Sequence, residues 1–211
     1  MNDPEMIASS DTLRGNRVPP GQTAVRSIDK QTGKLKWPVL HAGTVPYIDP
    51  EHWSLSLFGL VENPLKIAWN EFQALPKNRV KCDIHCVTQW SRLDNVFEGP
   101  TVRTVLELVQ LSPKATHVLV HAHGPARDHW TTNLPLSYFA DEDCLFATHH
   151  DGEPLTPEHG GPVRLVVPKL YFWKSAKWVM GVEFLSKDMA GFWEEGGYHM
   201  RGDPWLEERY S

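Results

Sequence analysis

The chain has 211 residues, enough for one domain with a substantial core or for two small ones. Its 41% hydrophobic and 22% charged residues exclude a disordered chain, and the formal net charge of −5 offers no basis for nucleic-acid binding. No apolar run is long enough to span a membrane, and the three cysteines, Cys82, Cys86 and Cys144, are too few and odd in number for a disulfide framework.

Residues 1–35 read as an extended arm broken at Pro19-Pro20-Gly21, ahead of a single unit over 36–211. The arm's polar, acidic start carries neither the apolar core of a secretory signal nor a twin-arginine pair. With free thiols suited to a reducing compartment, this predicts a cytoplasmic protein. Residues 53–59 (WSLSLFG) alternate as a half-buried strand, and 68–75 form a short helix stopped by Pro76. Residues 79–85 alternate again, with Val80, Cys82 and Ile84 on one face and Lys81, Asp83 and His85 on the other. An irregular stretch, 86–100, follows. Thr101 caps a helix over 102–110. Strands are expected at 117–123, 144–148, 163–167 and 177–185, with a turn at Asp151-Gly152. The segment 190–211, rich in Gly, Trp and charge, is expected to wrap the outside. Short strands mixed with short helices, without regular βα alternation, predict an α+β domain with mixed sheets.

Two stretches carry chemistry. In the first, Cys82-Asp83-Ile84-His85-Cys86-Val87-Thr88-Gln89-Trp90-Ser91-Arg92, a strand ends at a cysteine and a polar, aromatic loop follows. Cys86 reads either as a buried, inert thiol or as a thiolate that binds a soft metal or attacks as a nucleophile. In the second, His159-Gly160-Gly161-Pro162-Val163-Arg164 opens a strand, and Lys169, Lys174, Ser175 and Lys177 follow. Glycines let backbone approach a ligand, and the basic side chains suit an oxyanion such as phosphate. A plain strand with solvated charges is the competing reading.

Together these stretches resemble the sulfite oxidase superfamily of molybdopterin enzymes, in its small stand-alone bacterial form. The resemblance runs from about Arg17 to the C-terminus. Its pieces are RVPPGQ (17–22), KWPVLHAGTVP (36–46), FGLVENP (58–64), DIHCVTQWSRLDNVFEG (83–99), TTNLPL (131–136), LTPEHGGPVRLVVP (155–168) and FWKSAKWV (172–179). It implies a mixed-sheet molybdopterin-binding domain, molybdenum, and one molybdopterin per chain. It also implies that Cys86 is the protein ligand to the metal. His159 and Arg164 then contact the pterin and its phosphate, Ser175, Ala176 and Lys177 form the cofactor-binding run, and His41 closes over the cofactor. A small-molecule substrate and a separate electron-transfer protein are expected with it. The sequence departs from two branches of the superfamily. Animal and plant sulfite oxidases place several arginines after the cysteine, where this chain has Arg92 alone. The methionine-sulfoxide reductase relatives have an acidic residue where this chain has Thr88, and a cofactor-contacting threonine where it has His121.

Arg92 reads as the substrate-anion contact or as half of a structural salt bridge. His121 and His123 share one strand face and either reach the metal pocket or stand exposed; Trp90 walls the pocket or fills the core. Oxygen-atom transfer on a small oxo compound is the leading function. The alternatives are a zinc enzyme built on Cys82, His85, Cys86, His121 and His123, and a pterin-binding module without catalysis.

Overall fold

The computed structural model describes residues 4–9, 14, 18–124 and 130–211. In chain order its strands are β1 (Met6–Ala8), β2 (Thr23–Ala24), β3 (Ser54–Gly59), β4 (Leu65–Ala68), β5 (Asn78–His85) and β6 (Trp90–Gly99). They continue as β7 (His117–Ala122), β8 (Trp130–Pro135), β9 (Leu145–Ala147), β10 (His149–His150), β11 (Glu153–Pro154), β12 (Arg164–Val166) and β13 (Val179–Leu185). The α-helices are short: α1 (Trp69–Ala74), α2 (Val102–Leu106), α3 (Leu136–Phe139) and α4 (Phe192–Glu195).

Alternation in the sequence builds the first sheet. β3 buries Leu55 and Leu57 and leaves Ser54 and Ser56 half-buried on the other side. It lies in a five-stranded sheet of order β4-β3-β13-β7-β8, in which β13 runs parallel to β3 and antiparallel to β7. Leu55, Leu57, Val120, Val182 and Phe184 of this sheet meet Phe72 of α1 and Val102 and Val105 of α2 in the main core. Each such side chain contributes roughly 1.5–3 kcal/mol relative to exposure.

The second sheet has the order β1-β5-β6-β10-β11, with β2 paired to β6. Val80, Ile84 and Phe97 pack against Leu145 and Ala147 of β9 and Val166 of β12 in a second core. Close approach is possible because Gly99 has no side chain: a Cβ there would sit 2.0 Å from the Phe146 carbonyl oxygen. The result is an α+β fold with mixed parallel and antiparallel pairing, as the sequence predicted.

Four local expectations are corrected. The stretch 86–100 is not irregular, since it contains the ten-residue β6, paired antiparallel with β5. Its polar Ser91, Arg92 and Asn95 are buried with their own partners, which hid the strand pattern. The helix begins at Thr101, whose hydroxyl caps the Thr104 N–H at 3.1 Å, but α2 ends at Leu106 and Leu108 is 42% exposed. β8 was not anticipated. The segment 190–211 does not simply wrap the outside, because Glu194 is buried and α4 packs on β8. Among the described residues no helix is long and apolar enough to cross a membrane.

Candidate active site

The β5–β6 hairpin presents Cys86 at its tip. His85 pairs with Ser91, the last ladder pair before the turn. The Cys86 N–H donates to the Trp90 carbonyl at 2.8 Å, and the Gln89 N–H donates to the Cys86 carbonyl at 3.1 Å. Gln89 closes the turn in the left-handed region, with φ at 70°. Gln22, beside β2, donates its Nε2 to the same Cys86 carbonyl at 3.0 Å. The Cys86 sulfur is half-buried, 3.1 Å from Thr88 Oγ1. Burial raises its pKa; hydrogen bonds from Thr88 and the charge of Lys177 oppose that rise. A metal binding there displaces the thiol proton.

The facing wall comes from the second stretch. Arg164, on β12, is 1% exposed and donates to the carbonyls of His159 and Ser175, each at 2.8 Å. Its guanidinium lies 4.2 Å from the Phe172 ring centroid. Ser175 Oγ accepts from the Val167 N–H at 2.9 Å, and the Ala176 carbonyl accepts from Leu165. His159 stacks on Trp37 at 3.8 Å and 9°. Burial, then Arg164 and Lys177, lower the His159 pKa to about 4, so the ring is neutral at pH 7. Lys177 packs on Gly160, where φ is 100° and a Cβ would come within 2.9 Å of the Lys177 side chain. The Lys177 amine donates to the carbonyls of Leu40 and Glu158 at 2.8 and 2.6 Å. That bond holds the segment bearing His41 across the opening, with His41 Nδ1 on the Gly43 carbonyl at 3.0 Å.

Between the walls lies a cavity of about 290 Å³. Cys86, His41, His159, Arg164, Ser175, Ala176 and Lys177 all line it, so most of the predicted site residues meet in one place. Aromatic residues given no role by sequence line it too: Trp37, Trp130, Trp173, Trp193 and Tyr198, from four separated parts of the chain. Trp90 is on the cavity wall rather than in the core interior. Thr131 and Thr132 carried a signal, since they begin the TTNLPL piece, but nothing in it specified a cavity position.

Two predicted residues lie elsewhere. Arg92 is 4% exposed and pairs with Asp151 at 2.7 Å, with Asn95 and His150 as further partners. It lines a separate recess with His150 and Asp151. His121 pairs with Glu183 at 3.0 Å. Its neighbour Ala122 lines the cavity, so strand alternation turns His121 the other way. The zinc set is also corrected: among the described residues no three His, Cys, Asp or Glu side chains are grouped to hold a metal ion. Cys82 is buried in the second core.

The cavity's chemistry fits a large anionic cofactor carrying a soft-bonding metal. Among the described residues no Asp or Glu lines it, while Arg164 and Lys177 both do. Burial lowers the Arg164 pKa to about 9; burial, then Arg164, lowers that of Lys177 to about 7. An anion between them would reverse both shifts. Thr132, only 2% exposed, also lines the cavity, and its hydroxyl has no hydrogen-bond partner. A buried hydroxyl in that state is destabilising unless a ligand atom meets it.

Lys177 yields a pH prediction for the cofactor-free protein. Its native value of about 7 lies below the ordinary one. Below that value both native and unfolded states hold the proton, and the whole penalty of burying the charge is felt. Above it the native amine releases a proton that the unfolded chain keeps until about pH 10, so stability rises across this window. Thermal melts at a series of pH values should show the rise in wild type and a smaller one in Lys177→Met. Equal slopes would contradict it.

A thiol at a hairpin tip thus faces buried Arg164 and half-buried Lys177 across one cavity of a mixed-sheet domain, an arrangement suited to a bound anionic cofactor. Residues 42–193 match the family model described as "Oxidoreductase molybdopterin binding domain", and the chain belongs to that family. The chain is 47% identical over 199 residues to the uncharacterized oxidoreductase YuiH of Bacillus subtilis, covering 94% of each. It is 27% identical to a sulfite oxidase of Arabidopsis thaliana, over 75% of this chain and 48% of that one. The crystal structure of the sulfane dehydrogenase SoxCD from Paracoccus pantotrophus shares the fold, with a TM-score of 0.65 at 20% identity. That match covers 72% of this chain and 42% of the other. The chain thus spans about half the length of its sulfite oxidase relative. It is an enzyme of the molybdopterin-binding oxidoreductase class.

Proposed function

We propose that the protein binds one molybdopterin, with the Cys86 thiolate as the protein ligand to molybdenum, and transfers an oxygen atom to or from a small oxo compound. The observation that supports this best is the cavity itself, where the Cys86 sulfur, buried Arg164 and half-buried Lys177 share one space that no described Asp or Glu lines. When bound, the cofactor supplies two-electron redox chemistry coupled to gain or loss of an oxo group. The chain's own residues then have distinct tasks. Arg164 and Lys177 balance the cofactor's phosphate. His159, neutral at pH 7, offers one ring nitrogen as donor and the other as acceptor. Thr132 supplies a hydroxyl that otherwise has no partner. His41 and Leu40, held by Lys177, limit water entry. The names of sulfite oxidase and nitrate reductase relatives support a sulfur- or nitrogen-oxo substrate. A separate electron-transfer protein completes the redox cycle, and three cysteines that form no disulfide support a reducing, cytoplasmic setting.

The test is metal and pterin analysis of protein expressed in a host that makes the cofactor. About one molybdenum atom per chain, with the fluorescence of an oxidised pterin, is expected. Negligible molybdenum from such a host would overturn the proposal.

A further inference from the structure

The arm that precedes the domain is tied to the Cys86 hairpin. Pro19 to Gln22 form a turn, closed by the Gln22 N–H on the Pro19 carbonyl at 3.2 Å, with Gly21 in the left-handed region at φ 65°. A Cβ on Gly21 would come 2.8 Å from Glu207 Oε1. Arg209 Nη2 donates to the Pro20 and Gly21 carbonyls, each at 3.3 Å, so the C-terminal segment seats the turn. β2 then runs parallel to β6. The Thr23 N–H donates to the Gln89 carbonyl at 2.9 Å, and the Val25 N–H to the Ser91 carbonyl at 2.8 Å.

This placement brings the half-buried Gln22 side chain to the hairpin tip. Among the described residues, Gln22 alone bonds the Cys86 backbone from outside the hairpin, through Nε2 on the carbonyl at 3.0 Å. The amide is itself oriented. Its Oε1 accepts from the Ser91 hydroxyl at 3.3 Å, and Ser91 Oγ lies 2.8 Å from His85 Nδ1. With its proton given to Gln22, Ser91 Oγ accepts from the His85 Nδ1–H. Ser91 and His85 are both 0% exposed, so water does not compete for these bonds. The turn benefits from an outside hold, because Gln89 carries a side chain yet sits at φ 70°. The direction of a thiolate follows its own backbone, so a shift at the Cys86 carbonyl moves the sulfur.

We infer that Gln22 is a positioning residue for the metal ligand: its amide, oriented by Ser91 and His85, holds the Cys86 turn so that the thiolate meets the metal in one geometry. This rests on the bond proposed between Cys86 and molybdenum. Gln22 does not line the cavity, so it acts through Cys86 and not on the cofactor. The arm is then part of the site's support rather than a tether beside it.

The test reads geometry rather than turnover. In molybdenum-loaded protein the Mo(V) resonance should be a single species in wild type. In Gln22→Leu it should broaden or split, with molybdenum and pterin per chain unchanged. Native-state hydrogen exchange should show the Gln89 amide, which donates to the Cys86 carbonyl, exchanging about tenfold faster in Gln22→Leu, with the amides of β3 in the other sheet unmoved. Ser91→Ala, which releases the Gln22 amide without shortening it, should speed the same exchange about threefold. Gln22→Asn keeps an amide too short to reach and should match Gln22→Leu, so it carries the test if the leucine variant fails to fold. Exchange is measured in loaded and cofactor-free protein alike, so a variant that loses molybdenum still returns a result. A Gln89 amide as slow as in wild type, or a loaded variant with an unaltered Mo(V) resonance, overturns this inference alone. Exchange that quickens equally in β3 also overturns it, because Gln22 then serves only the fold. Wild type lacking molybdenum removes the reading beneath it, and this inference with it.

Discussion

Cys86→Ser is expected to lower dye-linked turnover by at least about a thousandfold, equivalent to roughly 4 kcal/mol on the barrier. A serine hydroxyl is protonated at neutral pH and a harder donor than a thiolate, so the metal loses its soft protein ligand. The fold should not notice. The turn is held through the Cys86 backbone N–H and carbonyl, while the sulfur itself meets the Thr88 hydroxyl. A half-buried substitution of this kind changes stability by about 0.5 kcal/mol or less. Arg164, Lys177 and His159 are untouched, so pterin should be retained. The diagnostic set is turnover lost, pterin content and melting temperature kept, and an altered Mo(V) resonance. Survival of a tenth or more of wild-type turnover would refute Cys86 as the ligand.

The second large effect lies beneath the aromatic wall. Lys174 and Glu194 form an ion pair at 2.7 Å with both side chains 0% exposed. The ammonium also donates to Asn133 Oδ1 and to the Met200 carbonyl, each at 2.6 Å. Glu194 accepts from Trp173 Nε1 at 2.9 Å and from the Gly191 N–H at 3.1 Å. Burial lowers the Lys174 pKa and Glu194 raises it. Lys174→Met removes the cation and leaves a buried carboxylate unpaired, which costs about 3–5 kcal/mol. For a chain of this size that lowers the melting temperature by about 10 °C. Adding Glu194→Leu should recover part of the loss, because an apolar pair tolerates burial. Recovery stays incomplete, since the Trp173 and Gly191 donors and the Asn133 and Met200 oxygens lose their partners. Calorimetry of the single and double variants checks both steps. A single variant as stable as wild type would show that the pair contributes nothing net. The pair also bears on function, because it ties α4, and with it Trp193, to β8.

The sequence made parts of this protein legible and hid others for physical reasons. WSLSLFG alternates because β3 has one covered face, and Leu55 and Leu57 are buried as that pattern requires. Thr101 caps its helix through a local hydrogen bond that needs no distant partner. β6 was missed because its polar Ser91, Arg92 and Asn95 are buried, Ser91 bonded to His85 across the hairpin and Arg92 held by the distant Asp151. The wall of Trp130, Trp193 and Tyr198 was invisible for a related reason. Trp130 lies far in the chain from Trp193 and Tyr198, and they meet only when α4 docks on β8.

By itself the sequence determined the α+β class, the family, and most of the residues that gather around the cavity, from Cys86 through His159 and Arg164 to Lys177. The class follows from local alternation and capping, and the family and site residues from the resemblance that the sequence motifs carry. Only the tertiary structure decided that Arg92 and His121 face away from the cavity, each held by a carboxylate. It alone decided that Trp130, Trp193 and Tyr198 come together in the cavity that Cys86 lines. Where a side chain points depends on which sheet covers it and which distant charge claims it, and neither is written in the residues beside it.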